Sequence, residues 1–208
     1  MDHDQVSQAR LADSSTGPKG NPASLPIDGR SSIYMLFAKL FSAMESSRDS
    51  QNPIRFLSRY DSSACNIKES SIWTAIGQTP WSTPASPWYH MFNGFPFQAL
   101  RKAAELEEYT LTDFGTWCAM ESPVRDALTV FAQGKDDEKD PLLNPAHLMV
   151  GCDVKNEDIA NAFADWMIRE DGGQEVVTGF KKNGYDLYSG APKGLDPLAT
   201  VNGYMKPQ

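Results

Sequence analysis

Cysteine is scarce in this chain: three in 208 residues (Cys65, Cys118 and Cys152), widely spaced and without a CxxC pair. That excludes a disulfide framework, and buried thiols are expected instead. The three histidines, His3, His90 and His147, are as scattered, and no metal-ligand spacing exists among them. Basic charge is also short: 19 Lys and Arg stand against 27 Asp and Glu, a net charge of −8. A phosphate-backbone binder needs a basic stripe, so no nucleic acid partner is expected. A small anion remains compatible, because local N–H groups and one arginine dominate at contact distance while remote charges are screened. No apolar run approaches membrane-spanning length, so direct membrane insertion is not expected. The opening MDHDQVSQAR has no apolar core of the kind a secretory signal carries. There is no internal repeat, GxGxxG, Walker A or GxSxG motif. No nucleophile–base pair or carboxylate dyad stands out either, so no catalytic residue, cofactor or enzymatic role is assigned.

What is present is a chain that can bury a core, with 40% hydrophobic residues. Its length suits one large domain or two small lobes. The organising stretch is Ile54–Gly77, IRFLSRYDSSACNIKESSIWTAIG. An apolar run at 54–57 is followed by a polar turn over 58–63. Then comes a helical pattern with Cys65, Ile72, Trp73 and Ile76 in register. Asp61, Ser62 or Ser63 can cap the start of this helix, and Gly77 can stop it. A strand–turn–helix unit of this kind presents backbone N–H groups and a positive dipole end. That is a ready anion site, and Arg59 would add a planar fork of donors. The plainer reading is an ordinary β-turn-α corner with a capped helix, Arg59 pairing with Asp61 or Glu69 on the surface.

Residues 1–53 read as a leader. Residues 1–30, rich in Ser, Asp, Gly and Pro, are expected to be disordered. A helix is expected at 32–45, with Ile33, Leu36, Phe37, Leu40, Phe41 and Met44 on one face. Gln78–Phe97 holds four prolines and six aromatics, which predicts a long ordered loop with its aromatics packed on the core; His90 receives no role. A helix over 97–108 should bury Phe97, Leu100 and Ala104 and turn Glu105, Glu107 and Glu108 to water. Tyr109–Thr112 alternates as a half-buried strand does, and Asp113 can cap a short helix at 114–120. Strands are expected at 127–132 and 147–151, with a charged loop over 133–141. A helix capped by Asn156 should bury Ile159, Phe163, Trp166 and Met167. A last helix over 174–182 should bury Val176, Val177 and Phe180 and stop at Gly184. The main domain is placed at 54–192 and a Gly/Pro-rich tail at 193–208.

Strands alternating with helices imply an α/β fold with a largely parallel sheet flanked by helices. In such sheets ligands bind beyond the carboxyl ends of strands. The turns at 58–63 and 112–113 both lie at such ends.

Four segments, in order, resemble one family. Phe56–Ala64 (FLSRYDSSA) is similar to the F-x-S-R-G-D-x-S-G-T motif of the tungstate-binding and molybdate-type solute-binding proteins of ABC transporters. Glu108–Thr116 (EYTLTDFGT) resembles their Y-T-L-T-D-R segment. Pro141–Pro145 (PLLNP) and the pair Ala162–Trp166 with Asp171–Gln174 resemble the family's later segments, and the variant form most resembled is fungal. The resemblance implies a type II periplasmic-binding-protein-like fold: two α/β lobes, a hinge, and an oxyanion in the cleft. It assigns Ser58, Arg59, Ser63, Ala64, Cys65 and Thr112 to the anion. It implies a small oxyanion ligand such as tungstate, a membrane transporter as partner, and a periplasmic or extracellular location. The family's glycine is Tyr60 here, its Gly-Thr pair is Ala64–Cys65, and its second arginine is Phe114. Those changes remove a hydroxyl donor and a cation. Residues 1–53 do not match the family's first lobe. The reading is therefore a second lobe with the C-terminal part of the first, prone to self-association through unpaired strands. The alternative is a repurposed interaction protein that no longer binds solute.

Overall fold

The structure is a computed structural model describing residues 7–83, 85–135, 137, 139–151 and 153–191. His3, Cys152 and the tail at 193–208 lie outside the described residues. The chain forms two compact units, one of Ala12–Asn144 and one of Met1–Leu11 with Pro145–Gln208.

The larger unit is built on a mixed sheet. Its strands are β1 (Ser7–Pro18), β2 (Phe56–Ser58), β3 (Tyr89–Met91), β4 (Tyr109–Asp113) and β5 (Leu128–Gln133), in the order β3-β2-β4-β1-β5. A further strand, β6 (Leu143–Leu148), pairs with β1. β2 runs parallel to both β3 and β4. β1 lies antiparallel between β4 and β5. Helices α1 (Ile33–Ser47) and α2 (Ala64–Ala75) cover one face. Helix α3 (Pro96–Glu105) covers the other, packing Ala99 and Ala103 on Leu57. Short helices α4 (Phe114–Ala119) and α5 (Ser122–Ala127) link β4 to β5.

β1 corrects the expectation of disorder in residues 1–30 over Ser7–Pro18, while residues 1–6 lie outside the described residues. Asp13, Ser14, Ser15 and Thr16 are all buried between β4 and β5. The composition resembles a loop because the strand's neighbours leave space only for small side chains. A Cβ on Gly17 would fall 2.2 Å from the Tyr109 ring. β4 is likewise buried on both faces, as an interior strand must be, and not half-buried. β3 is a second departure: it lies inside the proline-rich stretch, where the sequence pattern predicts a loop. Trp88 and Tyr89 do pack on the core as expected. Glu108 turns inward, not to water, and meets His90 Nδ1 at 2.7 Å. Phe97 is exposed, leaving Leu100 with Ala99 and Ala103 as the buried face of α3.

The core between the sheet and α1–α2 is aromatic. Trp73 meets Phe37 with ring centroids 4.7 Å apart and Phe56 at 5.3 Å. Full burial of each such side chain contributes about 1.5–3 kcal/mol. The α1 face is the expected one, with Ile33, Leu36, Phe37, Leu40 and Met44 buried and Ser32 capping the helix.

The smaller unit carries α6 (Glu157–Ile168), α7 (Gly173–Gly179) and a hairpin of β7 (Lys181–Lys182) and β8 (Tyr185–Asp186). Asn156 caps α6 as expected. Its apolar face is exposed, however: Ile159, Phe163 and Trp166 all lie open to solvent, as do Val176 and Phe180. Lys181 and Lys182 are strand residues, and Gly184 does not stop a helix. Asn183 and Gly184 have φ of 51° and 84°, the tight turn that joins two hairpin strands. The strand expected at 147–151 begins four residues earlier, as β6, and Met149 beyond it is exposed.

Candidate functional site

Two of the parallel strands of the larger unit, β2 and β4, end at Ser58 and Asp113, and α2 and α4 begin shortly after them. Among the three candidate caps, Ser63 takes the role: its Oγ accepts the Asn66 N–H at 3.3 Å. The turn before it is closed by its own side chains. Asp61 Oδ1 accepts the Ser63 N–H at 3.1 Å, and Asn66 Oδ1 accepts that of Ser62 at 3.1 Å. Ser58 Oγ accepts the Tyr60 N–H and Asn66 Nδ2, each at 3.2 Å. A helix leaves its first N–H groups without intrahelical acceptors. With the Asn66 N–H taken by the cap, those of Ala64 and Cys65 are the other two first-turn donors of α2.

Tyr60 and Ser62 adopt φ of 47° and 58°, the left-handed region that favours glycine. The position where the resembled family has glycine is therefore one whose backbone calls for it, and here a half-exposed tyrosine occupies it.

Arg59 pairs with Asp61 through Nη2, in line with the plainer reading, but the pair is largely buried. Its Nε is buried and has no hydrogen-bond partner. Burial alone would raise the Asp61 pKa, but the Ser63 hydroxyl and N–H and the Arg59 guanidinium outweigh it and hold it low. Arg59 is thus anchored on one side with a donor left over on the other.

Ser58, Ser63, Ala64 and Cys65 come together around this turn, with Arg59 beside them. Thr112 does not join them. Alternation along β4 puts Leu111 and Asp113 on the α1–α2 side and Thr112 on the α3 side, where its hydroxyl is buried. Ser58 is fully buried, and its hydroxyl serves the turn.

Behind the turn lies a polar network that pattern reading does not reveal. Tyr89 donates to Glu69 Oε1 at 2.8 Å, and Glu69 is 2% exposed. Burial pushes the Glu69 carboxyl up to about 8, with Tyr89, Ser58 and Asn66 pulling the other way. Burial and then Glu69 raise the Tyr89 phenol. Glu69 is therefore not the surface partner for Arg59 that its spacing suggests; only Tyr89, from β3, identifies it as a core residue.

Asp13 also escapes the sequence pattern. Its strand register places it opposite Asp113, and it is wholly buried, with neither carboxylate oxygen hydrogen-bonded by the donors around it. Burial pushes it up to about 7, Lys68 opposes that, Asp113 adds to it, and the Cys65 thiol and Arg59 oppose it more weakly. Burial raises the Cys65 thiol, helped by Asp13, Glu69 and Asp113, so Cys65 is a neutral side chain at the helix start. Among the described residues no group of three or more His, Cys, Asp or Glu is placed to hold a metal ion. No described helix is long and apolar enough to cross a membrane.

A mixed sheet flanked by helices, with helix starts at the carboxyl ends of β2 and β4, defines an α/β lobe. The chain belongs to the PBP superfamily, whose domain model matches residues 22–171. It is 30% identical over 148 residues to the tungstate-binding protein TupA of Peptoclostridium acidaminophilum, covering 69% of this chain and 46% of that one. The chain therefore spans about half the length of the curated relatives it matches. The crystal structure of a periplasmic protein described as metal-binding superposes with a TM-score of 0.84 at 45% identity, covering 92% of this chain and 91% of that one. TupA of Desulfovibrio alaskensis superposes at 0.71 with 22% identity over 90% of this chain and 70% of that one, which supports the fold.

Proposed function

We propose that this chain binds a small tetrahedral oxyanion of the tungstate or molybdate kind and serves an ABC-type transport system. The observation that carries the reading is the Arg59–Cys65 turn. Two N–H groups at a capped helix start lie beside an arginine that is fixed by Asp61 yet keeps a buried Nε without a partner. Buried donors without acceptors are costly unless a ligand accepts from them. Ser63, Ala64, Cys65 and Arg59 hold the anion, and Ser58 keeps the turn in shape. Binding alone is the role; no catalytic step is assigned. The relatives described as tungstate- and anion-binding support both the ligand class and a membrane transporter as partner. A location outside the cytoplasm fits the periplasmic relative. A thermal-shift series with tungstate, molybdate, sulfate and phosphate tests the reading. A ligand that binds only the native state raises its melting temperature by mass action. Tungstate or molybdate should raise it, and no shift with any oxyanion contradicts the proposal.

A second reading is favoured by one observation, the exposed apolar face of α6 formed by Ile159, Phe163 and Trp166. Clustered exposed apolar side chains mark interaction surfaces. On this reading the chain associates through its smaller unit. Light scattering at rising concentration decides it: a monomer throughout removes self-association.

A further inference from the structure

Asn66 ties together both ends of the turn that precedes α2. It is 8% exposed and holds the third position of the helix. Three of its polar groups serve that turn. Its N–H donates to the Ser63 Oγ at 3.3 Å, its Oδ1 accepts the Ser62 N–H at 3.1 Å, and its Nδ2 donates to the Ser58 Oγ at 3.2 Å. The third residue of a capped helix commonly reaches back to the N–H of the capping residue itself. Here that N–H, of Ser63, is already held by Asp61 Oδ1 at 3.1 Å. Asn66 reaches one residue further, to Ser62.

The extra residue matters because of the backbone there. Ser62 holds φ of 58° and Tyr60 φ of 47°. Left-handed conformations are unfavourable for residues other than glycine and persist only where their surroundings hold them. Ser62 is exposed, so packing does not hold it, and the Asn66 side chain does. Ser58 does the same for Tyr60, whose N–H its Oγ accepts at 3.2 Å. With the Asn66 amide on the same oxygen, both lone pairs of that hydroxyl are filled. Its hydrogen is left for the Glu69 carboxyl, to which Tyr89 also donates at 2.8 Å. The contacts thus run from an exposed turn through Asn66 and Ser58 to a buried carboxyl. In the closed turn the N–H groups of Tyr60, Ser62, Ser63 and Asn66 are all taken. Those of Ala64 and Cys65, in the first turn of α2, are left for a ligand.

We propose that Asn66 is a positioning residue for the oxyanion: by holding Ser62 in its left-handed conformation and tying it to Ser58, it closes the turn before the anion arrives and raises affinity without touching the ligand. This rests on the oxyanion reading above. A site shaped in advance loses less freedom on binding, so the Asn66 amide acts on affinity through the backbone it holds.

Two measurements test this. Backbone hydrogen exchange of the tungstate-free full chain reads the clamp itself and needs no variant to fold. The Ser62 amide should exchange about tenfold more slowly than in an unstructured chain, or slower still, although its residue is exposed. Exchange at the unstructured rate overturns the proposal. Calorimetric titration of sodium tungstate into wild type, Asn66→Ala and the double variant Asn66→Ala with Ser62→Gly reads the consequence. Asn66→Ala, shown to be folded by circular dichroism, should bind about tenfold more weakly. Glycine adopts positive φ freely, so Ser62→Gly should return part of the affinity that Asn66→Ala loses. A role in stability alone would not produce that recovery, because glycine adds freedom to the unfolded chain. Equal affinity in folded Asn66→Ala, or no recovery in the double variant, overturns this proposal and leaves the oxyanion reading standing. No binding to wild type defeats the oxyanion reading and takes this proposal with it.

Discussion

Asp13 and Asp113 face each other across the β1–β4 ladder, two carboxylates in register on the α2 side of the sheet. They are not equivalent. Asp113 gives its oxygens to Thr116 and caps α4, while neither carboxylate oxygen of Asp13 has a hydrogen-bond partner. Two like charges directly opposite are destabilising. Burial pushes the Asp13 carboxyl up to about 7, and Asp113 opposite adds to that. The burial of Asp13 and the strand that carries it have measurable consequences.

Gly17→Ala tests whether β1 is an interior strand. The added Cβ would fall 2.2 Å from the Tyr109 ring, and overpacking of this kind costs about 1–3 kcal/mol. Urea unfolding should show a lowered midpoint. An unchanged midpoint would mean that residues 7–18 do not pack as described.

Stability should fall as pH rises from mildly acidic to mildly alkaline. Glu69 and Asp13 have folded pKa values of about 8 and about 7, against ordinary values of 4.5 and 3.8. Between those limits the native state binds more protons than the unfolded chain, so its advantage is full below the ordinary values and is lost as pH climbs through the raised ones. A tenfold gain in proton affinity on folding corresponds to about 1.4 kcal/mol, so the Glu69 contribution is on the order of a few kcal/mol. Glu69→Gln should flatten the profile between about pH 5 and pH 8 in denaturant titrations. A wild-type stability that is constant or rising across that window contradicts the burial assigned to these groups.

Tyr60→Gly should be neutral or stabilising by about 1 kcal/mol. The residue holds φ of 47° and is 49% exposed, so glycine relieves the backbone and removes little packing, while losing some entropy on folding. A clearly lowered melting temperature would show that the tyrosine ring contributes more than its exposure allows.

Cys65→Thr should strengthen oxyanion binding by several-fold, since it replaces a neutral thiol in the first turn of α2 with a hydroxyl donor. Equilibrium dialysis of tungstate against wild type and the variant reads this directly. Weaker binding in Cys65→Thr would place the anion away from that position.

Periodic elements were legible in the sequence. The Ser63 cap, α2, β2 and the buried face of α1 follow from spacing and capping chemistry that act within a few residues. β1 was not legible, because an interior strand under the Tyr109 ring is made of Ser, Thr and Gly and carries the composition of a loop. β3 was hidden by the prolines on either side of Tyr89. Periodicity grouped Ile159, Phe163 and Trp166 on one face of α6 correctly, but spacing says which side chains share a face and not what covers it. In the candidate site, the residues local to the turn are those that a motif can find. Glu69 and Asp13 owe their character to partners 20 residues away for Glu69 and 100 residues away for Asp13, and no local pattern reports that. Thr112 follows the motif by position along β4, and the strand's alternation turns it to the other face.

The most direct test of the account is calorimetric titration of tungstate into wild type and Arg59→Ala. A hydrogen bond to a charged group contributes about 1.5–3 kcal/mol. Wild type should bind, and Arg59→Ala should bind roughly tenfold to a hundredfold more weakly or worse. Arg59→Lys should recover only part, since a point charge lacks the planar fork. Equal affinities in wild type and Arg59→Ala would contradict the site, and no heat from wild type would contradict the binding function itself.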